Sequence, residues 1–170
     1  CSAMTTAKGV KGRVEVVPTD GDYSIIIDYS HKPGALETVL QTLRPVVKGR
    51  LICLFGCGGD RDKVKRPIMG AIAADNSDLV VVTSDNPRTE DPDEIIREIV
   101  EGMKNKRTPR KVICDRVKAI QWAIDNARSG DVILLAGKGH EDYQVVGHEK
   151  RHMDEREIVA DWLEKRKQRG

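Results

Sequence analysis

The run Leu79-Val80-Val81-Val82-Thr83-Ser84 is apolar until its end and shows no alternation, so it cannot serve as a strand with one wet face. It needs cover on both sides, which a parallel sheet clad with helices provides. The rest of the chain follows the same pattern. Short apolar runs from Arg13 to Val17, Ser24 to Tyr29, Arg50 to Phe55, Asp78 to Thr83, Lys111 to Cys114 and Asp131 to Ala136 read as strands, and Tyr143 to Val146 as a last edge strand. Between them lie stripes of helical spacing: Pro33 to Val47, Arg66 to Asn76, Pro92 to Met103, Arg116 to Arg128 and Glu155 to Lys167. Trp162 sits in such a stripe and reads as core. The expected fold is α/β: a Rossmann-like, mostly parallel six-stranded sheet flanked by helices, in a single domain.

A chain of 170 residues can bury roughly 70% of its unfolded surface and needs neither metal nor disulfides to fold. The net charge of +2 is small against 29 basic and 27 acidic side chains. The one like-charge run, Lys165 to Arg169, reads as a fraying helix end, so nucleic acid is not an implied partner. Cys1, Cys53, Cys57 and Cys114 show no paired CxxC spacing; Cys53 and Cys114 fall in expected strands, as buried free thiols of a reducing compartment. With no membrane span and no signal-peptide pattern, a cytoplasmic location is the expectation. Residues 1–12 read as a vector-derived tail or interdomain linker ahead of a domain over residues 13–170.

The unusual residues follow strand ends in four places: Asp28-Tyr29-Ser30-His31, Gly56 to Asp62, Asp85-Asn86-Pro87-Arg88, and Gly137-Lys138-Gly139-His140-Glu141. All four loops therefore share the carboxyl edge of the sheet, where open α/β sheets bind ligands. Arg88 offers a planar fork for a carboxylate or phosphate, Asn86 adds amide donors and an acceptor, and Pro87 stiffens the turn. Asp91-Pro92-Asp93-Glu94 is a helix cap, with Glu94 closing a capping box.

Other motifs are weaker alone. Gly56-Cys57-Gly58-Gly59-Asp60-Arg61 is close to a dinucleotide fingerprint, but Arg61 stands where the third glycine belongs and the helix starts only near Arg66. Gly137-Lys138-Gly139 is similar to a phosphate loop, yet G-x-x-x-x-G-K-[ST] occurs nowhere. Its glycines can admit a ligand close to the backbone, with Glu141 presenting a carboxylate to an amine. His31 and His140 read equally as catalytic groups or as hydrogen bonds that fix turns. No two histidines have metal-ligand spacing, so no metal site is expected in this chain.

Asp28 to Pro33, Phe55 to Asp62 with Lys65-Arg66-Pro67, Thr83 to Pro92, and Ala136 to Gln144, in that order, resemble the C-terminal domain of the Mur ligases. Within that family the D-N-P-R motif is similar to that of the ATP-dependent ligases that add meso-diaminopimelate to UDP-N-acetylmuramoyl-L-Ala-D-Glu in peptidoglycan synthesis. The resemblance covers nearly the whole chain from Gly12. It implies a diaminopimelate site of Arg61, Asp85, Asn86, Pro87, Arg88, Gly137 and Glu141, with Asp28 and His31 at ATP. The implied reaction phosphorylates the D-glutamyl γ-carboxylate and then lets a diaminopimelate amine attack the acyl phosphate. The phosphate loop, the magnesium ligands and the general base are expected outside this chain, which on this reading is an excised third domain, inactive alone. A lysine-adding ligase, a stand-alone amino-acid or nucleotide-binding module and a dinucleotide-binding oxidoreductase remain open alternatives.

Overall fold

The computed structural model describes residues 14–169; the expected linker, Cys1 and Arg13 lie outside the described residues. The strands are β1 (Glu15–Val17), β2 (Ser24–Asp28), β3 (Leu51–Phe55), β4 (Leu79–Val82), β5 (Arg110–Val112) and β6 (Val132–Ala136), in one sheet of order β1-β2-β6-β3-β4-β5. Among the described residues of this sheet only the β1–β2 pair is antiparallel. The helices are α1 (Pro33–Leu43), α2 (Lys65–Asn76), α3 (Pro92–Glu101), α4 (Arg116–Asp125) and α5 (Glu155–Arg169).

The unbroken apolar strands are explained by cover on both faces. In β2 Ile26 packs with the α1–α3 layer, while Ile25 and Ile27 pack with α4 and α5; Cys53 against Ile52 and Leu54 in β3, and Leu134 against Ile133 and Leu135 in β6, divide the same way. Chain leaving β2, β3 and β4 turns to the first face, and chain leaving β5 and β6 to the second. The connections on either side of β6 therefore diverge and open a crevice at the carboxyl edge. Pairing of Asp28 with Ala136, Leu54 with Leu135 and Phe55 with Val82 sets those strand ends level around it.

Several expectations need correction. Tyr143 to Val146 is not an edge strand of the main sheet: it forms a separate hairpin as β7 (Tyr143–Val146) with β8 (Glu149–His152). The chain leaving the central strand β6 turns back on itself as this hairpin and does not reach the edge strands β1 and β5. α1 stops at Leu43 and becomes a 3₁₀ turn, Arg44–Val46, because Pro45 lacks the N–H that would continue it. Asp91 caps α3 by accepting from the Asp93 N–H at 2.9 Å, but the Glu94 carboxylate pairs with Arg97 and the capping box is not closed. Cys114 lies beyond β5 and is half-buried; Cys53 and Cys57 are buried, and all three are free thiols. Trp162 is half-buried against the second face and donates its indole N–H to Asp125. The basic C-terminal run stays helical to Arg169, whose guanidinium lies over the Trp162 ring. Among the described residues no helix is long and apolar enough to cross a membrane.

Beneath the crevice lies a buried ion pair. Arg116, at the start of α4, donates through Nε to Glu155 of α5 at 3.0 Å, through Nη1 to the Ser84 carbonyl at 3.1 Å, and through Nη2 to the Ala136 carbonyl at 3.0 Å. Both side chains are fully buried. One guanidinium thus ties the ends of β4 and β6 to α5. Removing a single partner strands a buried charge, which costs about 3–5 kcal/mol, whereas replacing both removes the charge penalty. Arg116→Met should therefore lower the urea midpoint far more than Arg116→Met/Glu155→Leu does. Equal losses would show that the pair is not the source of the stability.

Candidate functional site at the carboxyl edge

The four strand-end loops meet around a cleft of about 620 Å³, within the usual range of small-ligand sites. Arg61, Asp85, Asn86, Arg88, Gly137, Glu141 and His31 all line it, together with Tyr29 and the first turn of α2. Pro87 and Asp28 do not. Pro87 is buried beneath the glycine loop, and Asp28 faces a separate depression beside α1.

The glycine loop serves loop packing. The Gly59 N–H donates to the Asn86 carbonyl at 2.8 Å, and a Cβ at residue 59 would lie 1.8 Å from the Pro87 carbonyl oxygen. Residues 56–59 therefore lie flush on residues 83–87. Gly137, in the cleft, is a second position that suits glycine: its φ is +112°, and a Cβ there would press on the Asp85 carboxylate at 2.9 Å.

The basic side of the cleft carries Arg88, Arg61 and Lys65. Arg88 holds a left-handed φ of +52°, an uncommon conformation for a side chain of its size. The β7–β8 hairpin pins it there: the Arg88 N–H donates to the Val145 carbonyl at 3.1 Å and its carbonyl accepts from the Gly147 N–H at 2.6 Å. Its guanidinium donates through Nη1 to the Gly59 carbonyl at 2.9 Å and faces no carboxylate at ion-pair distance among the described residues. Arg61 is exposed, with one bond to the neighbouring Asp60 carbonyl. Lys65 donates to the His31 carbonyl at 3.0 Å, tying α2 to the β2 loop. Asp60, held below the usual carboxylate range by hydrogen bonds from Thr89, closes the turn between these arginines. Behind it the buried Arg66 grips Glu90 and Glu98, each at 2.6 Å, and the Gly58 carbonyl at 3.0 Å.

The acidic side is built from Asp85 and Glu141 around the buried Lys138 ammonium, 3.1 and 3.5 Å away. Gln144 of β7 donates to the Asp85 carbonyl at 2.6 Å and to the Ser84 hydroxyl at 3.0 Å, so the hairpin also clamps this loop. The charge of Glu141, aided by burial, pushes the Tyr143 phenol up. A cleft with free guanidinium donors on one side and a partly compensated carboxylate pair on the other fits a zwitterion.

The nucleotide-side candidates separate. The Asp28 carboxylate accepts the Val14 N–H and the Ser30 N–H, each at 2.9 Å, and the Ser30 hydroxyl, and thereby closes the β2 turn. The His31 Nδ1–H donates to the Tyr29 carbonyl at 3.0 Å, which leaves Nε2 as the ring's acceptor. That is the turn-fixing bond expected from the sequence, made by a residue that also lines the cleft. Tyr29 is flanked by the rings of His31 and exposed His140, with centroids 4.7 and 4.9 Å away. Sequence reasoning passed over Tyr29 and Gln144, and placed Lys138 among the cleft residues without foreseeing its burial. The signal for Tyr29 and Gln144 was their place within the motifs themselves, where neither was given a role.

Residues 12–139 match the family described as Mur ligase, glutamate ligase domain. The chain is 50% identical over 162 residues to the UDP-N-acetylmuramoyl-L-alanyl-D-glutamate–2,6-diaminopimelate ligase of Clostridioides difficile, covering 95% of this chain and 34% of that protein. It is 56% identical over 157 residues to the ligase of the same name from Synechocystis sp., covering 91% and 31%. A solved structure of a ligase of that name superposes with a TM-score of 0.86 at 39% identity, covering 94% of this chain and 32% of that one. The chain thus spans about a third of the length of the curated relatives it matches.

The packing of the glycine loop gives two expectations. Gly59→Ala should cost about 1–3 kcal/mol of stability by overpacking, read as a lowered Tm; an unchanged Tm would mean the loops are not in contact. Burial pushes the Cys57 thiol up to about 12, so it is not a nucleophile. Mass mapping after maleimide treatment of the native protein should find Cys57 unmodified, and rapid labelling would show that the loop opens.

Proposed function

Because the chain belongs to the Mur ligase family, carrying its glutamate ligase domain, we propose that it is the amino-acid-binding domain of an ATP-dependent ligase that adds meso-diaminopimelate to UDP-N-acetylmuramoyl-L-Ala-D-Glu. The observation that carries the reading is the convergence of Arg61, Asp85, Asn86, Arg88, Gly137 and Glu141 on one cleft with a basic and an acidic side. Diaminopimelate has an amine and a carboxylate at each end. Glu141 presents a carboxylate to an amine, and Arg88, with no carboxylate partner among the described residues, is placed to read the far carboxylate that lysine lacks.

In the proposed reaction the γ-phosphoryl group of ATP passes to the D-glutamyl γ-carboxylate. The diaminopimelate amine then forms the amide, and phosphate leaves with the acyl C–O bond. The share of this chain is to hold and orient the nucleophile and to close over the nucleotide. His31, at the mouth of the cleft, suits a contact with ATP; Asp28 would have to exchange its present bonds to Val14 and Ser30 for ribose hydroxyls. We assign the phosphate loop and the magnesium ligands to the remaining length of the relatives, and the reaction to the cytoplasm, as a step on which cell-wall growth, cell shape and division depend. Alone, the chain is expected neither to hydrolyse ATP nor to make the tripeptide.

The test is discrimination in the full-length protein. Arg88→Ala should remove a charge-assisted contact worth about 1.5–3 kcal/mol, lowering kcat/KM for diaminopimelate tenfold to a hundredfold while the slow use of lysine changes little. Arg88→Lys should restore little, because an ammonium does not reproduce the planar fork. Equal losses for both amino acids would make Arg88 a closure or folding residue and remove the main support for diaminopimelate.

A further inference from the structure

Lys138 is fully buried and does not line the cleft, although its Gly-Lys-Gly setting is similar to that of a phosphate-binding lysine. Its ammonium meets Asn86 Oδ1 at 2.6 Å, the Tyr143 carbonyl at 2.9 Å, Asp85 Oδ1 at 3.1 Å and Glu141 Oε1 at 3.5 Å. An ammonium has three N–H donors, and four acceptors already surround this one, so no donor is left for a ligand. A buried cation is costly to maintain, and its partners are all groups of the acidic side.

What Lys138 does to those groups follows from their valences. Asn86 Oδ1 accepts from Lys138 and from the Val145 N–H at 3.0 Å, which uses both of its lone pairs and turns Nδ2 toward Glu141 Oε1 at 3.4 Å. Asn86 therefore offers donors to the cleft. Glu141 Oε1 is held by Lys138 and Asn86, while Oε2 takes no bond from the described residues. The turn that brings Glu141 back over Lys138 is closed by the Glu141 N–H on the Lys138 carbonyl at 2.9 Å. The two carboxylates and one ammonium leave one net negative charge, the complement of a single ammonium ion.

We propose that Lys138 is the positioning residue of the amine-binding side: without touching the ligand, it fixes Asn86 as a donor and Glu141 as a one-oxygen acceptor, and sets the charge of that side to match one ammonium group beside a carboxylate. The inference rests on the amino-acid-ligase reading above.

The experiment uses the full-length protein with Lys138→Gln, Glu141→Gln and the double variant, measured on whichever amino acid the wild type consumes. Failure of diaminopimelate as the wild-type substrate falls on the earlier reading, whereas the pattern among variants falls on Lys138. Lys138→Gln should raise KM for the amino acid about tenfold or more and leave KM for ATP unchanged, with kcat affected less. The double variant should lose clearly less than the product of the two single losses, because part of the Lys138 effect passes through Glu141 and only the part through Asn86 remains. Losses that multiply in the double variant, or that shift both KM values together, would overturn the proposal. Should Lys138→Gln not fold, the wild type labelled with ¹⁵N-lysine provides the reading: the protected Lys138 ammonium resonance should shift on adding the amino acid and not on adding ATP, and an unmoved resonance would overturn the proposal.

Discussion

The carboxyl edge of a parallel sheet ends in backbone carbonyls and divergent loops that no further strand can satisfy. Here that edge is held by cations taken out of water. Arg116 spans the Ser84 and Ala136 carbonyls and anchors them to Glu155 on α5; Lys138 gathers Asp85, Asn86, Glu141 and the Tyr143 carbonyl; Arg66 joins Gly58 to Glu90 and Glu98. Each ties loops from distant parts of the chain into one body. The desolvation of each cation is offset by charge-assisted bonds that would be lost if any one loop moved away.

The cleft inherits its shape from this arrangement. With Gly59 pressed on Pro87, the loops after β3 and β4 behave as one wall, and the β7–β8 hairpin holds the strained Arg88 backbone from outside. Strain of about 1–3 kcal/mol at such a residue persists only where the surroundings over-determine it. The result is a guanidinium aimed from a rigid support, the condition for reading a carboxylate at a set distance from an amine.

The layered fold was legible because short runs that are apolar throughout, Leu51 to Phe55, Leu79 to Val82 and Val132 to Ala136, alternate with stripes of helical spacing. The site was legible as positions, since strand ends place Arg61, Arg88 and Glu141 on one edge whatever their side chains do. What stayed hidden depends on contacts far apart in sequence. Arg116 reads as an ordinary first-turn residue until Glu155 is folded beside it, and Lys138 reads as one more residue of the carboxyl-edge loops until the hairpin covers it. The hairpin itself was misread as an edge strand because alternation gives a strand's presence and not its partner. Asp28 follows a strand end as expected, but its orientation is set by local bonds to Ser30 and Val14 that spacing does not specify.

Whether one cleft takes both ends of a doubly zwitterionic amino acid would be seen in a crystal structure of the full-length protein soaked with meso-diaminopimelate. An amine of the ligand is expected at hydrogen-bond distance from Glu141 Oε2, a carboxylate on the Arg88 guanidinium, and Lys138 unmoved and out of contact with the ligand. A ligand lying across the Asp28 face, or bound with its carboxylate on Lys138, would contradict this expectation.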